Sequence, residues 1–181
     1  KPKLNAELNG DFCISEPNPQ DLKIKILFVV DTTGSNGQGT DPSKVKRLGN
    51  IRTFFERYKN NPAFEWGYIT FADGGGGIQY LIREGPDDYF TSDPNVVYNA
   101  INFNQTQVPD SGGTPYGGAI GAASTAVSSD ITRMESQGTY ARYNILFISD
   151  GGPTDSVPKG DPLAFTGAVT GVANLKPGFV H

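Results

Sequence analysis

Histidine, cysteine, tryptophan and methionine each occur once in the 181 residues. With His181 the single histidine and Cys13 the single cysteine, neither a Ser-His-Asp nor a Cys-His catalytic set can be assembled. No disulfide can form within these residues, so Cys13 is either a free thiol or pairs with a residue outside them. No apolar run reaches the roughly 18 residues that a membrane span requires, and Lys1 opens no recognisable secretion signal. Basic charge is also scarce: 15 Lys and Arg against 19 Asp and Glu give a net charge of −4. That balance speaks against nucleic acid or an anionic membrane as the main partner, because both need a basic face. Lys44, Lys46, Arg47 and Arg52 do cluster, at a spacing that fits the solvated side of a helix.

What is present is enough for one domain with a real core, since 36% of the chain is apolar. Residues 1–22 contain Pro17 and Pro19 and show no periodicity, which predicts an extended leader. Its Leu4, Leu8, Phe12 and Ile14 are expected to press onto the body. From residue 23 onward strand and helix patterns alternate. Residues 24–30 form a β-branched and aromatic run, the pattern of a strand covered on both faces. Asp41 and Pro42 then signal a helix start. "FEWGYITFAD" and "IQYLIRE" read as two strands joined by Gly74 to Gly77, a connection short enough to make them antiparallel.

Asp93-Pro94 opens a second helix, and "YGGAIGAASTAVSSDITRMES" a third. The Gly and Ala of that third helix predict close packing on a sheet. "YNILFISD" is a further apolar strand, followed by a helix from Asp161-Pro162 toward Lys176. Strand, helix, hairpin, helices, strand, helix is an α/β order with a mostly parallel sheet. A strand is expected to begin at Phe179, with the remainder of that sheet edge missing from these residues, disordered, or supplied by another segment.

In sheets of this kind ligands gather at the carboxyl ends of the parallel strands. Asp31 and Asp150 end the two most apolar strands, and their carboxylates converge on one rim if the strands are neighbours. Beside Asp31, Thr33 and Ser35 can turn both hydroxyls toward one point, and the loop "PDSGGTPYGG" presents Thr114 just before a helix. Asp31, Thr33, Ser35, Thr114 and Asp150 are therefore the candidate metal ligands. Carboxylates and hydroxyls are hard oxygen donors, which implies Mg²⁺, with Mn²⁺ or Ca²⁺ as alternatives. Taken singly, each residue has a plainer role as a cap or turn former. The coincidence of three loops at one predicted sheet edge is what points to a cation.

These residues resemble the von Willebrand factor A domain with its metal-ion-dependent adhesion site. The D-x-S-x-S motif is matched by "DTTGS" at Asp31, Thr33 and Ser35, the threonine loop by "SGGTP" at Thr114, and the third motif by Asp150-Gly151. The match runs from about Lys23 to His181, with threonine at 33 where serine is commoner. The resemblance implies a Rossmann-like, doubly wound, mostly parallel sheet with one antiparallel strand and helices on both faces. It further implies hydroxyl ligation by Thr33, Ser35 and Thr114, with the two aspartates acting partly through water. Function then follows as protein binding: a partner donates an Asp or Glu carboxylate to the cation, with Asn36, Gly113, Pro115 and Gly151 around the contact. An extracellular or cell-surface setting goes with that family.

"DTTGS" is also similar to the aspartyl-phosphate motif of haloacid dehalogenase-type phosphatases, in which Asp31 would be the nucleophile and Asp150 and Asp155 would serve Mg²⁺. That reading wants a lysine between the motifs, and none occurs from Pro62 to Phe147. "GSNGQG" has the wrong order for a dinucleotide loop, and Asp31 would repel phosphate. A structural module of the same fold without metal binding is the third alternative.

Overall fold

The computed structural model describes residues 22–181. The expectations for Leu4, Leu8, Phe12 and Ile14, and for Cys13, lie outside the described residues.

Strand β1 (Lys23–Asp31) is the centre of a four-stranded sheet. It pairs in parallel with β2 (Phe64–Phe71) on one side and β4 (Ala141–Ile148) on the other, and β3 (Gln79–Tyr80) is antiparallel to β2. Flanking the sheet are α1 (Val45–Tyr58), α2 (Pro94–Thr106), α3 (Tyr116–Ser136) and α4 (Thr166–Ala173), the last continuing a 3₁₀ turn at Pro162–Phe165. None of these helices is long and apolar enough to cross a membrane. The architecture is thus the α/β one expected, with a single antiparallel strand and helices on both faces.

Because side chains alternate along a strand, β1 feeds two cores. Ile26, Phe28 and Val30 pack with Leu48, Ile51 and Phe55 of α1 and with Val97 and Ile101 of α2. Leu27 and Val29 face Ala119, Ala123, Ala126 and Val127 of α3. The alanines of α3 present almost no side-chain depth there, which lets a long helix lie close to the sheet. On the other face the lone Trp66 stands among rings, stacked with Phe28 at 6.0 Å and edge-on to Phe55 at 5.0 Å.

The Asp-Pro signals work through side-chain capping. Asp93 accepts from the Asn95 N–H at 2.8 Å at the start of α2, and Asp161 does the same for Leu163 at 2.9 Å. Asp93→Ala is expected to lower stability by about 1 kcal/mol in chemical denaturation, the usual loss for an N-cap carboxylate. A change below a few tenths would show that the cap is idle.

Three expectations need correction. Asp41 does not sit at the helix boundary: α1 begins at Val45, and Asp41 reaches forward to accept from the Lys46 and Arg47 N–H groups, each at 3.0 Å. The intervening Lys44 turns the chain in the left-handed region at φ 60°. Secondly, Lys44 and Arg47 are not solvated but buried, both facing the Asp110 carboxylate, with the Lys44 amine donating to the Asn104 carbonyl at 2.7 Å. Burial pulls the Lys44 pKa below the ordinary lysine value, opposed by Asp110. Thirdly, the "IQYLIRE" strand shrinks to Gln79–Tyr80, because Leu81 makes only one further backbone bond to Tyr68. The loop after β1 winds into a π-type turn over Asn36–Thr40, closed by the Asp41 N–H on the Asn36 carbonyl at 3.1 Å.

Residues 179–181 run parallel beside β4. Val180 bridges to Tyr143, and the Ile145 N–H donates to the His181 carbonyl at 2.8 Å.

Candidate functional site

Asp31 and Asp150 meet at one rim because β1 and β4 are adjacent and in register, Val30 lying opposite Ile148. Asp31 is fully buried. One of its carboxylate oxygens accepts from the Thr33 N–H at 2.7 Å, and the other from the Ser149 hydroxyl. That grip bends the chain after β1 so that Thr33 and Ser35 share one side, their hydroxyl oxygens 3.1 Å apart. Thr114 comes from the loop before α3, and its hydroxyl lies 3.5 Å from that of Thr33. Ser35 donates to Asp150 at 2.9 Å, while Thr40 donates to the other Asp150 oxygen. Asp31, Thr33 and Thr114 are buried, whereas Ser35 and Asp150 are exposed, so the set has an inner side and an open side.

Backbone bonds hold the loops together before any ligand is considered. The Gly34 N–H donates to the Gly112 carbonyl and the Ser111 N–H to the Thr32 carbonyl, both at 3.0 Å. The Thr154 N–H donates to the Thr114 carbonyl at 2.9 Å, and the Thr154 hydroxyl takes the Thr114 N–H at 2.8 Å. Asp155 receives the Tyr116 and Gly117 N–H groups at 3.0 and 2.8 Å, capping the start of α3. Gly112 makes this bracing possible. It sits at φ +75°, and a Cβ there would collide with the Gly74 nitrogen and an Asp73 carboxylate oxygen. Gly112→Ala is expected to lower stability by about 1–3 kcal/mol and to displace the Thr114 loop, checked by denaturation and by cation calorimetry on the same sample.

Five predicted ligands are therefore brought together, but the predicted surroundings divide. Gly113, Pro115 and Gly151 are partly exposed around the set. Asn36 is buried inside the π-type turn, with its side-chain NH₂ unpartnered among the described residues, and does not stand on the outer face. Ser149, Thr40 and Thr154 were missed by sequence reasoning, and Asp155 entered it only through the phosphatase alternative. Ser149 directly precedes Asp150 in "ISDG", and Thr154 and Asp155 follow it in "GPTD"; a search for hydroxyls and carboxylates flanking each motif would have found them.

The donor set fits a small hard cation. Adjacent ligands of octahedral Mg²⁺ at about 2.1 Å stand about 3 Å from one another, and the hydroxyl separations of 3.1 and 3.5 Å lie near that value. Among the described residues no three His, Cys, Asp or Glu side chains come together as a metal set, so a cation at this rim would depend on hydroxyls as much as on carboxylates. Gly151 leaves room in front of them: a Cβ at that position would lie 3.4 Å from the Ser35 hydroxyl and 3.5 Å from that of Thr114.

No family model and no curated protein matches the sequence. Solved structures do resemble it. A single-residue mutant of the PilB minor pilin from Streptococcus sanguinis is 18% identical with a TM-score of 0.50, the match covering 77% of this chain and 32% of that one. The pilus adhesin SpaC from Lactobacillus rhamnosus GG is 19% identical with a TM-score of 0.49, over 74% of this chain and 16% of that one. The vWF domain of the type V pili tip protein Mfa5 from Porphyromonas gingivalis is 15% identical with a TM-score of 0.48, over 74% and 39%. The chain thus corresponds to well under half the length of each of these, and at such identities the likeness is one of fold.

Proposed function

We propose that this chain is a protein-binding module of the von Willebrand factor A kind, whose rim site holds a divalent cation, Mg²⁺ first, and through it recognises an Asp or Glu of a partner protein. The observation that carries the reading is the convergence of the Thr33 and Ser35 hydroxyls from one loop and the Thr114 hydroxyl from another, between two carboxylates at the open end of the sheet. Thr33, Ser35 and Thr114 would hold the cation. By accepting the Ser35 proton, Asp150 turns a Ser35 lone pair toward the site. The bound cation supplies Lewis acidity, and a partner carboxylate answers it better than a neutral amide does. A cell-surface or secreted setting goes with this role.

The phosphatase alternative is disfavoured by the state of Asp31. Buried and hydrogen-bonded through both oxygens, it has none turned outward to attack phosphorus. Calorimetric titration with Mg²⁺, Mn²⁺ and Ca²⁺ tests the proposal. Saturable binding to the wild type, weakened in Ser35→Ala, is the expected result. Absence of binding would leave a structural module, and Mg²⁺-dependent hydrolysis of a phosphomonoester lost in Asp31→Asn would make the protein an enzyme.

A further inference from the structure

Near the start of β1, far along the strand from the rim, a lysine lies within an otherwise apolar run. The Lys25 and Asp130 side chains both have 0% exposure, and the Lys25 amine stands 2.9 and 2.7 Å from the two Asp130 carboxylate oxygens. Strand register sets the surroundings: Glu65 of β2 lies opposite Lys25 on one side and Tyr143 of β4 on the other. Glu65 is 2.7 Å from the amine, and the Tyr143 hydroxyl donates to Asp130 at 2.7 Å. Arg133 donates to the remaining Asp130 oxygen, and the Phe90 ring lies 5.1 Å from the amine.

We infer that Lys25 and Asp130 are the reacting pair of a self-forming isopeptide crosslink, with Glu65 as its proton carrier. Burying an ion pair this completely brings a desolvation penalty that Coulomb attraction repays only partly, whereas condensation removes both charges. In the reaction, a proton passes from the Lys25 ammonium to the Asp130 carboxylate, leaving amine and acid. The amine nitrogen attacks the Asp130 carboxyl carbon. Glu65 takes a second proton from that nitrogen and delivers it to the departing hydroxyl, so one C–N bond forms, one C–O bond breaks and one water leaves. Ammonium plus carboxylate thus becomes amide plus water, with Glu65 returned to its starting state and no oxidant or reductant involved.

The other groups serve this chemistry. Tyr143 and Arg133 withdraw electron density from the carboxyl and stabilise the oxygen on which charge develops. Burial, and then the Asp130 charge, push the Tyr143 pKa far above its usual range, so it remains a donor. Glu65, 18% exposed on its side chain, connects the pair to solvent. The bond would tie β1 to α3 across 105 positions of sequence.

Mass spectrometry of the intact folded chain, denatured before injection, tests this. The expected mass is about 18 Da below that of the sequence, the loss of one water. Trypsin should fail to cut after Lys25 and should release a branched peptide joining it to the segment holding Asp130. Lys25→Met and Asp130→Ala should each restore the full mass, as should Glu65→Gln in a sample whose circular dichroism matches the wild type. A wild type of full mass, or a water loss without the branched peptide, would overturn the proposal whatever the variants do. A branched peptide persisting in Glu65→Gln would overturn the role of Glu65.

Discussion

Thr114→Ala is expected to weaken Mg²⁺ binding by at least about 100-fold, since losing groups that merely orient metal ligands already weakens binding 10- to 100-fold. The substitution is suited to the question because the Thr114 main chain holds its loop independently of the hydroxyl: its carbonyl and N–H are both bound to Thr154. Among the described residues the hydroxyl itself has only the 3.5 Å approach to Thr33. Stability should therefore fall by only about 1 kcal/mol, the scale of one modest hydrogen bond. Calorimetry for the cation and denaturant titration for the fold separate the two effects. Unchanged affinity in a folded variant would remove Thr114 from the ligand set and, with it, the case for a cation site built from three loops.

Phe55→Ala carries the largest expected change in stability, about 3–5 kcal/mol, the range for deleting a fully buried ring. Phe55 is 0% exposed and meets both Trp66 and Tyr98 edge-on, at 5.0 and 5.2 Å. Its removal opens a cavity between α1, α2 and the sheet that rigid neighbouring rings cannot close. Urea unfolding followed by the fluorescence of Trp66, the single tryptophan, reads the loss at the site of the damage. A drop below about 1 kcal/mol would mean that the aromatic cluster repacks freely, contrary to the tight order that close-packed cores show.

Much of this arrangement was legible because the informative residues act locally. The β1 run, the Asp93 and Asp161 caps and the small residues of α3 are each dictated by neighbours within a turn or two, and the structure shows each where its pattern put it. The rim set was legible for a related reason: strand ends announce themselves, and adjacency of β1 and β4 then brings Asp31 and Asp150 together. What escaped depends on distant partners. Lys44 and Arg47 look like surface cations until Asp110, more than 60 positions away, is folded against them. Asn36 was expected outside and lies inside because a π-type turn, which has no apolar period to mark it, rolls the side chain inward. Lys25 lies inside the apolar 24–30 run, and only the register with Glu65 and Tyr143 reveals a polar row beneath α3.

The placement of β1 between two parallel neighbours has a mechanical meaning. A pull on Lys23 along the strand axis loads the β2 and β4 ladders side by side, with eight registered residue pairs in each, from Ile24 opposite Phe64 to Asp31 opposite Phe71 and from Lys23 opposite Ala141 to Val30 opposite Ile148. Hydrogen bonds strained in parallel share the load, whereas bonds opened in sequence fail one at a time. Extraction of a β1 that carries no crosslink to α3 is therefore governed by a barrier to collective sliding, the unfolding-rate regime that controls lifetime under tension. Asp31 ends that same strand, so the force that would unseat the carboxylate from the rim is the force needed to shear the centre of the sheet.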